Sequence, residues 1–150
     1  MIRLLRTNSE HPDFVILVQH LDAYLKIIDG IEHGFYKQYN NIDVIKHTVV
    51  AYLNDRPVAC GAFKEYDKNT IEVKRMFTSS EARNGGIASK ILSELEIWAK
   101  ELGYQFVILE TGKRQTEAVH FYKKNNYDII PNFGQYINID NSLCFKKILK

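Results

Sequence analysis

The sequence predicts an α/β fold: a mixed, mostly antiparallel sheet of about six to seven strands with helices on both faces. Two patterns lead to this prediction. Between residues 48 and 77, three strand-like runs are separated only by short polar turns, as in antiparallel hairpins. The third run and a later one, residues 104–110, flank a stretch of helical periodicity. A strand–helix–strand order of this kind places two strands parallel in the same sheet.

The first half of the chain predicts a strand, a helix and the hairpins. Residues 2–6 favour a strand, and Asp13–Ile28 a helix, because Pro12 suits a helix start and Gly30 its end. Residues 31–47 are expected to be irregular or short-helical. Strands are predicted at Thr48–Leu53, Val58–Tyr66 and Ile71–Phe77, with turns at 54–57 and 67–70.

The second half predicts two helices and three more strands. Apolar residues recur on one helical face from Ile87 to Leu102, and Gly103 is a good residue to follow that helix. A strand at Tyr104–Glu110 comes next, and a second helix is predicted over Gln115–Tyr127. Short strands are expected at 128–130, which Pro131 ends, and at 143–149.

Length and composition indicate one folded domain, residues 1–150. The chain is 45% hydrophobic and 25% charged, as expected of a globular protein. Its 20 basic and 18 acidic residues are too balanced to indicate nucleic acid or a membrane surface as partner. The N-terminus lacks the apolar run of a signal peptide, and no run is long enough to span a membrane. We therefore expect a cytoplasmic protein.

The cysteines and histidines predict no covalent or metal framework. Cys60 and Cys144 lie in strand-like runs without a CxxC spacing, so both are expected to be small buried side chains. The five histidines are too scattered to form a metal-binding pair. No metal site is expected.

The segment between residues 77 and 89 predicts an anion site. A glycine pair, Gly85-Gly86, opens the helix, and the first N–H groups of a helix have no partner within it. Such donors and the helix dipole bind phosphate, glycine lets the backbone approach it, and Arg83 can add a charge-assisted contact. The Walker and dinucleotide-binding glycine patterns are both absent. The alternative is a strand-to-helix turn without a ligand.

The spacing Arg83-x-x-Gly86-x-Ala88, followed by helix, strand and a helix containing Ala118-x-x-x-Tyr122, resembles the GNAT-type N-acetyltransferase superfamily. The likeness covers residues 47–130 well and is closest to a branch of small bacterial proteins. This chain has Gln115 where the family usually has Asn. It also has Asn-Tyr at 126–127 where Gly-Phe is usual. The resemblance implies the acyl-CoA N-acyltransferase fold and acetyl-CoA as acyl donor, with its pyrophosphate on the glycine loop.

The resemblance also implies roles for individual residues. Tyr122 is expected to protonate the leaving thiolate, although a purely packing role is the alternative. Glu72 and Glu110, near the ends of neighbouring strands, are candidates for the general base, with a water relay as a third option. Glu72 can instead pair with Lys74 or Arg75, and Glu110 can instead cap the next helix. Cofactor contacts are expected from Met76, Phe77, Arg83, Asn84, Gly85, Gly86, Ile87, Ala88, Ser89 and Gln115.

The implied reaction is transfer of the acetyl group of acetyl-CoA to a primary amine of an unidentified small molecule or peptide. The acceptor is expected between the first helix and the cofactor cleft, where Tyr36, Tyr39 and Tyr136 are candidates for its lining. Two alternatives are a non-catalytic acyl-CoA sensor of the same fold and an interaction domain that binds no CoA. Members of the family often form homodimers, and the sequence leaves the oligomeric state open.

Overall fold

A computed structural model of the protein describes residues 1–29 and 44–150. The predicted elements in these ranges are confirmed, with ends displaced by at most three residues. The observed elements are β1 (Ile2–Thr7), α1 (Pro12–Asp29), β2 (His47–Leu53), β3 (Arg56–Asp67), β4 (Thr70–Thr78), α2 (Ile87–Glu101), β5 (Phe106–Gly112), α3 (Thr116–Lys124), β6 (Asp128–Ile130) and β7 (Ser142–Ile148). Single 3₁₀ turns lie at Ser80–Ala82 and Gly134–Tyr136.

The seven strands form one sheet in the order β1-β2-β3-β4-β5-β7-β6. Neighbouring strands are antiparallel except β4 and β5, which are parallel. The mixed, mostly antiparallel sheet predicted from the sequence is therefore confirmed. The single parallel pair is the strand–helix–strand unit that contains α2.

The sheet buries both of its faces. Residues that alternate along β2 belong to different apolar clusters: Val49 and Ala51 pack under α2, whereas Val50 and Tyr52 pack against α1. Side chains of α3 join the α2 cluster. Side chains along a strand alternate between the two faces of the sheet. A residue two positions from a member of one cluster therefore lies on the same face, and the residue between them lies on the other face.

A β-bulge interrupts β4 in front of the glycine loop. The register with β3 runs from Ala62 opposite Lys74 to Cys60 opposite Phe77, so β4 has an extra residue there. Arg75 has a left-handed φ of 62°, which is uncommon for a residue other than glycine. Bulges of this kind bend a strand and redirect its side chains.

The parallel pair separates soon after it begins. β4 and β5 are in register only at Thr70, Ile71 and Glu72 against residues 106–108. Beyond these positions the two strands separate and leave a gap. Residues 73–78 of β4 are not paired with residues 109–112 of β5. The gap lies at the carboxyl ends of two parallel strands, which is where open α/β sheets bind ligands.

Gly61 of β3 lies opposite the bulge, in a tightly packed region. A Cβ added at Gly61 would lie 2.4 Å from Met76 Sδ and 2.8 Å from Ile91 Cγ2. We expect Gly61→Ala to destabilise the protein by about 1–3 kcal/mol through overpacking, a fall in Tm of roughly 2–10 °C by calorimetry. Gly85→Ala is the matched control, because its Cβ would meet nothing closer than 3.7 Å. Equal melting temperatures for the two variants would contradict the expectation.

Candidate active site

Two cavities meet at the gap between β4 and β5. The larger, about 620 Å³, lies between the glycine loop and α3. The smaller, about 120 Å³, lies against α1. They share the residues Leu21, Met76, Gln115, Ala118 and Tyr122. We refer to them as the outer cleft and the inner cavity.

Strand alternation shows that the two carboxylates and Tyr122 come from opposite faces of the sheet. Ile71, Val73 and Leu109 belong to the cluster under α2 and α3, so Glu72 and Glu110 point to the α1 face. Tyr122 comes from α3 on the other face. Because β4 and β5 separate at this point, the side chain of Tyr122 on α3 reaches the inner cavity, which is also lined by Glu72 and Glu110.

The glycine loop presents an uncapped helix start to the outer cleft. Gly86 is the N-cap of α2 with φ 78°, and it provides no side-chain cap. The first backbone bond of α2 runs from Lys90 N to Gly86 O at 3.2 Å. The preceding N–H groups therefore have no partner in the helix and can bind an anion. Among the described residues, the sequence prediction of a strand, loop and helix at this point is confirmed.

Arg83 is held at the mouth of the outer cleft. Its Nε donates to the carbonyl oxygen of Thr78 at 3.0 Å, and its guanidinium lies 5.4 Å from the ring centre of Tyr24 on α1. Both contacts leave the terminal nitrogens available for an anionic ligand, since a guanidinium carries five donors. Arg83 thus joins the loop to α1 across the cleft.

The structure brings most of the predicted cofactor residues to one surface. The outer cleft is lined by Met76, Phe77, Arg83, Asn84, Gly86, Ile87, Ala88, Ser89 and Gln115. Gly85 is exposed beside this surface and is not part of the lining. Its φ is not left-handed, so Gly86 is the glycine whose conformation this loop requires.

Tyr122 packs in the core and also lines the cavities. The sequence left core packing and proton donation as alternatives for this residue. Its ring packs in the core at 5.8 Å from Phe145 and 5.9 Å from Tyr127, between ring centres. The same residue lines both cavities. Burial, assisted by the negative charge of Glu110, raises the pKa of its phenol. The hydroxyl is therefore protonated throughout the physiological pH range.

Glu72 forms a buried ion pair. Its carboxylate lies 3.4 Å from Lys74 Nζ, and each side chain is only 10% exposed. Burial raises the pKa of Glu72, and the charges of Lys74 and Lys64 partly oppose this. The pairing with Lys74 predicted as an alternative is thus observed. A carboxyl with a raised pKa is also a stronger base than an exposed one.

Glu110 lies across the same cavity and is held by β7. Its Oε2 accepts a hydrogen bond from Ser142 Oγ at 2.7 Å. Tyr136 also lines the inner cavity, and burial together with the charges of Glu110 and Glu72 raises its pKa. The two candidate bases therefore share one cavity with two tyrosines.

The sequence predicted an acceptor site next to the first helix, but not the particular residues of α1 or the bulge that line the inner cavity. Leu21, Asp22 and Leu25 line it from α1, and Arg75 lines it from β4. No local sequence motif marks Leu21, Asp22, Leu25 or Arg75 as part of a site. Tyr136, a predicted lining residue of the acceptor site, lines the inner cavity, whereas Tyr36 and Tyr39 lie outside the described residues.

The described residues contain no cluster of potential metal ligands and no helix suited to cross a membrane. Within residues 1–29 and 44–150, no group of three or more His, Cys, Asp and Glu side chains is arranged to hold a metal ion. Cys60 and Cys144 are both buried and free. None of the described helices is long and apolar enough to span a bilayer.

Residues 14–127 match the model of the acetyltransferase (GNAT) family. The chain belongs to this family. A relative named IAA acetyltransferase, from Azospirillum brasilense, is 30% identical over 99% of this chain and 98% of its own length. The uncharacterized N-acetyltransferase YsnE of Bacillus subtilis is 31% identical over 66% of this chain and 67% of its own length. Family membership identifies this GNAT protein as an acyltransferase.

Solved structures show the same fold. A putative acyl-CoA N-acyltransferase from Klebsiella pneumoniae superposes with a TM-score of 0.85, at 22% identity over 100% of this chain and 99% of that one. A GNAT acetyltransferase from Elizabethkingia anophelis with acetyl-CoA bound gives 0.71, at 19% identity over 99% and 98%. N-acetylglutamate synthase from Neisseria gonorrhoeae, complexed with coenzyme A and N-acetyl-glutamate, gives 0.74, at 13% identity over 100% and 35%. The acyl-CoA N-acyltransferase fold expected from the sequence is confirmed.

Proposed function

We propose that this GNAT protein transfers the acetyl group of acetyl-CoA to a primary amine of a small molecule or peptide by direct attack on the thioester. The observation that supports this most is the junction of the outer cleft and the inner cavity at Met76, Gln115, Ala118 and Tyr122. A donor in one cavity and an acceptor in the other would meet beside Tyr122. We also propose that residues 1–150 form one catalytic domain, because one continuous sheet contains all seven strands.

The outer cleft suits the donor. The uncapped start of α2 and the guanidinium of Arg83 would bind the pyrophosphate. Residues 73–78 of β4 are unpaired toward β5, so their backbone can bind the pantetheine arm in the manner of an added strand. Gln115 lines both cavities and would bind the arm or a water beside it.

The reacting groups follow from the same geometry. Acetyl-CoA supplies the acetyl thioester. We assign the backbone N–H of Phe77, next to the bulge, to the carbonyl oxygen on which negative charge develops. Glu72 accepts the proton of the attacking amine, so that the nitrogen forms the new C–N bond as the C–S bond breaks. Tyr122 gives its proton to the departing sulfur.

We favour Glu72 as the base and Glu110 as the group that binds the ammonium. Both face the inner cavity, but burial raises the pKa of Glu72 toward the working pH. A base with a raised pKa is protonated at low pH, so activity is lost as the pH falls through that value. The acidic limb of kcat/KM should then lie above the ordinary glutamate pKa of about 4.3.

Two glutamine variants separate these roles. We expect Glu72→Gln to lower kcat/KM by about 10²–10⁴-fold and to remove the acidic limb that belongs to the enzyme. Glu110→Gln should raise KM for the amine and keep that limb. The measurement is the pH profile of kcat/KM with two acceptors of different amine pKa, because a limb that moves with the acceptor belongs to the acceptor. An unchanged enzyme limb in Glu72→Gln would exclude Glu72 as the base.

The proposed function is tested by binding and turnover together. Calorimetric titration of acetyl-CoA should show saturable binding, and a panel of amines should release free CoA thiol only when an acceptor is present. Binding without thiol release for any amine would favour the sensor. Absence of acetyl-CoA binding would contradict both the enzyme and the sensor.

A further inference from the structure

Arg75 is directed into the inner cavity by the bulge. Ile71 and Val73 lie in the core cluster under α2, and regular alternation would send Arg75 to that face as well. The extra residue lets Met76 pack against that cluster instead. Arg75 then lines the inner cavity beside Asp22 of α1, and it is not part of the outer cleft.

Arg75 is partly buried, and one donor of its guanidinium has no partner in the described part of the chain. Its Nε is inaccessible to solvent and has no hydrogen-bond partner among the described residues. Burial lowers the pKa of Arg75, while the charge of Asp22 acts in the opposite direction. Leaving a donor of a charged group unsatisfied is costly. Because Nε itself is closed to solvent, a ligand in the inner cavity would contact the guanidinium of Arg75 through its terminal nitrogens.

Whereas Arg75 Nε has no partner among the described residues, three other charged side chains of the inner cavity have close partners there. Lys74 is already paired with Glu72 at 3.4 Å, and Glu110 accepts from Ser142 at 2.7 Å. The inner cavity is lined by the acidic side chains of Asp22, Glu72 and Glu110 and by the basic side chains of Lys74 and Arg75, so it presents both signs of charge. An acceptor with only amino groups would bring positive charge next to Arg75. An acceptor with both an amine and an acid can match both signs.

From this arrangement, and on the basis of the proposed function, we infer that the acceptor is a small amino-carboxylic acid. Arg75 binds its carboxylate, and Glu72 and Glu110 bind and deprotonate its amine. The planar fork of a guanidinium matches a carboxylate in two parallel hydrogen bonds. The cavity volume of about 120 Å³ is several times the roughly 10–15 Å³ that holds one water, so the cavity has room for a small molecule.

The test compares each acid with its decarboxylated partner. The pairs are alanine with ethylamine and phenylalanine with phenethylamine. We expect kcat/KM for the α-amino acid to exceed that of its partner by at least about tenfold in each pair. Arg75→Gln should lower kcat/KM for the acids by about 10–100-fold and change the ethylamine and phenethylamine values by less than about threefold. Arg75→Lys should lie between the two.

Controls distinguish this inference from the proposed function. Arg56→Gln removes an exposed arginine that pairs with Glu81 at 3.7 Å, and it should leave every ratio unchanged. Acetyl-CoA affinity and Tm report the integrity of Arg75→Gln. Equal kcat/KM within the pairs, or an equal loss for acids and amines in Arg75→Gln, would overturn the carboxylate site and leave acetyl transfer intact.

A binding measurement decides the inference without turnover. In the presence of CoA, N-acetylphenylalanine should raise the Tm of the wild type more than N-acetylphenethylamine, and Arg75→Gln should abolish the difference. The same shift for both compounds in the wild type would refute the carboxylate site. Failure of acetyl-CoA to bind would refute the proposed function instead.

Discussion

Tyr122→Phe should lower kcat by about 10²–10⁴-fold and leave the affinity for acetyl-CoA nearly unchanged. The change removes one oxygen and keeps the ring that packs against Phe145 and Tyr127. The lost function is proton donation to the sulfur of the departing CoA. An unprotonated thiolate is a poorer leaving group, so the loss belongs to the chemical step and not to binding.

The raised pKa of Tyr122 bears on how this acid works. A phenol has an ordinary pKa of about 10, above the value of about 8.5 for a thiol. Burial and Glu110 raise the phenol further, so full transfer to a free thiolate is uphill. The environment ensures that the proton is present at every working pH. Donation of the proton to sulfur therefore depends on the site stabilising the phenolate that is left behind.

Tyr127→Phe is a matched control. Tyr127 belongs to the same core cluster and is 3% exposed, but it lines neither of the two cavities. Its hydroxyl donates to Glu96 at 2.7 Å, and Lys147 contacts the same carboxylate at 3.0 Å. We expect Tyr127→Phe to cost about 0.5–1.5 kcal/mol of stability with little change in kcat. Equal kcat values for Tyr122→Phe and the wild type would rule out Tyr122 as the acid.

Much of the fold could be predicted because its signals are local. Helical periodicity from Ile87 onward and the short turns before it set the order of α2 and the hairpins. The glycine loop was visible for the same reason. The left-handed φ of 78° at Gly86 is a requirement of one residue, and only a residue without a Cβ meets it without strain.

The position of Arg75 in the inner cavity could not be predicted because it depends on pairing between distant segments. The bulge exists only in the register of β4 with β3, and Gly61 of β3 provides the space that Met76 occupies. Whether Arg75 points to α1 or to α2 follows from that register and not from its neighbours in sequence. The partner Asp22 is 53 positions away in the chain and belongs to a helix with no site motif.

For Tyr122 and Glu72, the sequence could not show that one residue has both a structural contact and a place in a cavity. A sequence pattern presents packing and chemistry as competing explanations. The structure shows Tyr122 packed in the core and lining both cavities, and Glu72 paired with Lys74 and facing the inner cavity. Packing fixes the position of the ring and the ion pair fixes the carboxylate. Their structural roles therefore support the roles that we propose for them.

Gly86→Glu should abolish measurable binding of acetyl-CoA, a loss of at least about 100-fold in affinity. A Cβ at Gly86 would meet nothing within 4 Å, so the fold has space for the side chain. The new carboxylate would lie at the start of α2, where unpaired N–H groups face the outer cleft. It would compete with the pyrophosphate for these donors and repel its negative charge.

Gly103→Glu separates this effect from backbone strain. Gly103 follows the other end of α2, has φ 95°, and also has nothing within 4 Å of an added Cβ. Both variants place a glutamate in a left-handed conformation, at a cost of roughly 1–2 kcal/mol. Calorimetric titration should find wild-type affinity for acetyl-CoA in Gly103→Glu and none in Gly86→Glu, although both melt at a lower temperature. Retained affinity in Gly86→Glu would show that the pyrophosphate does not bind at the start of α2, whereas equal losses in both variants would attribute the effect to strain.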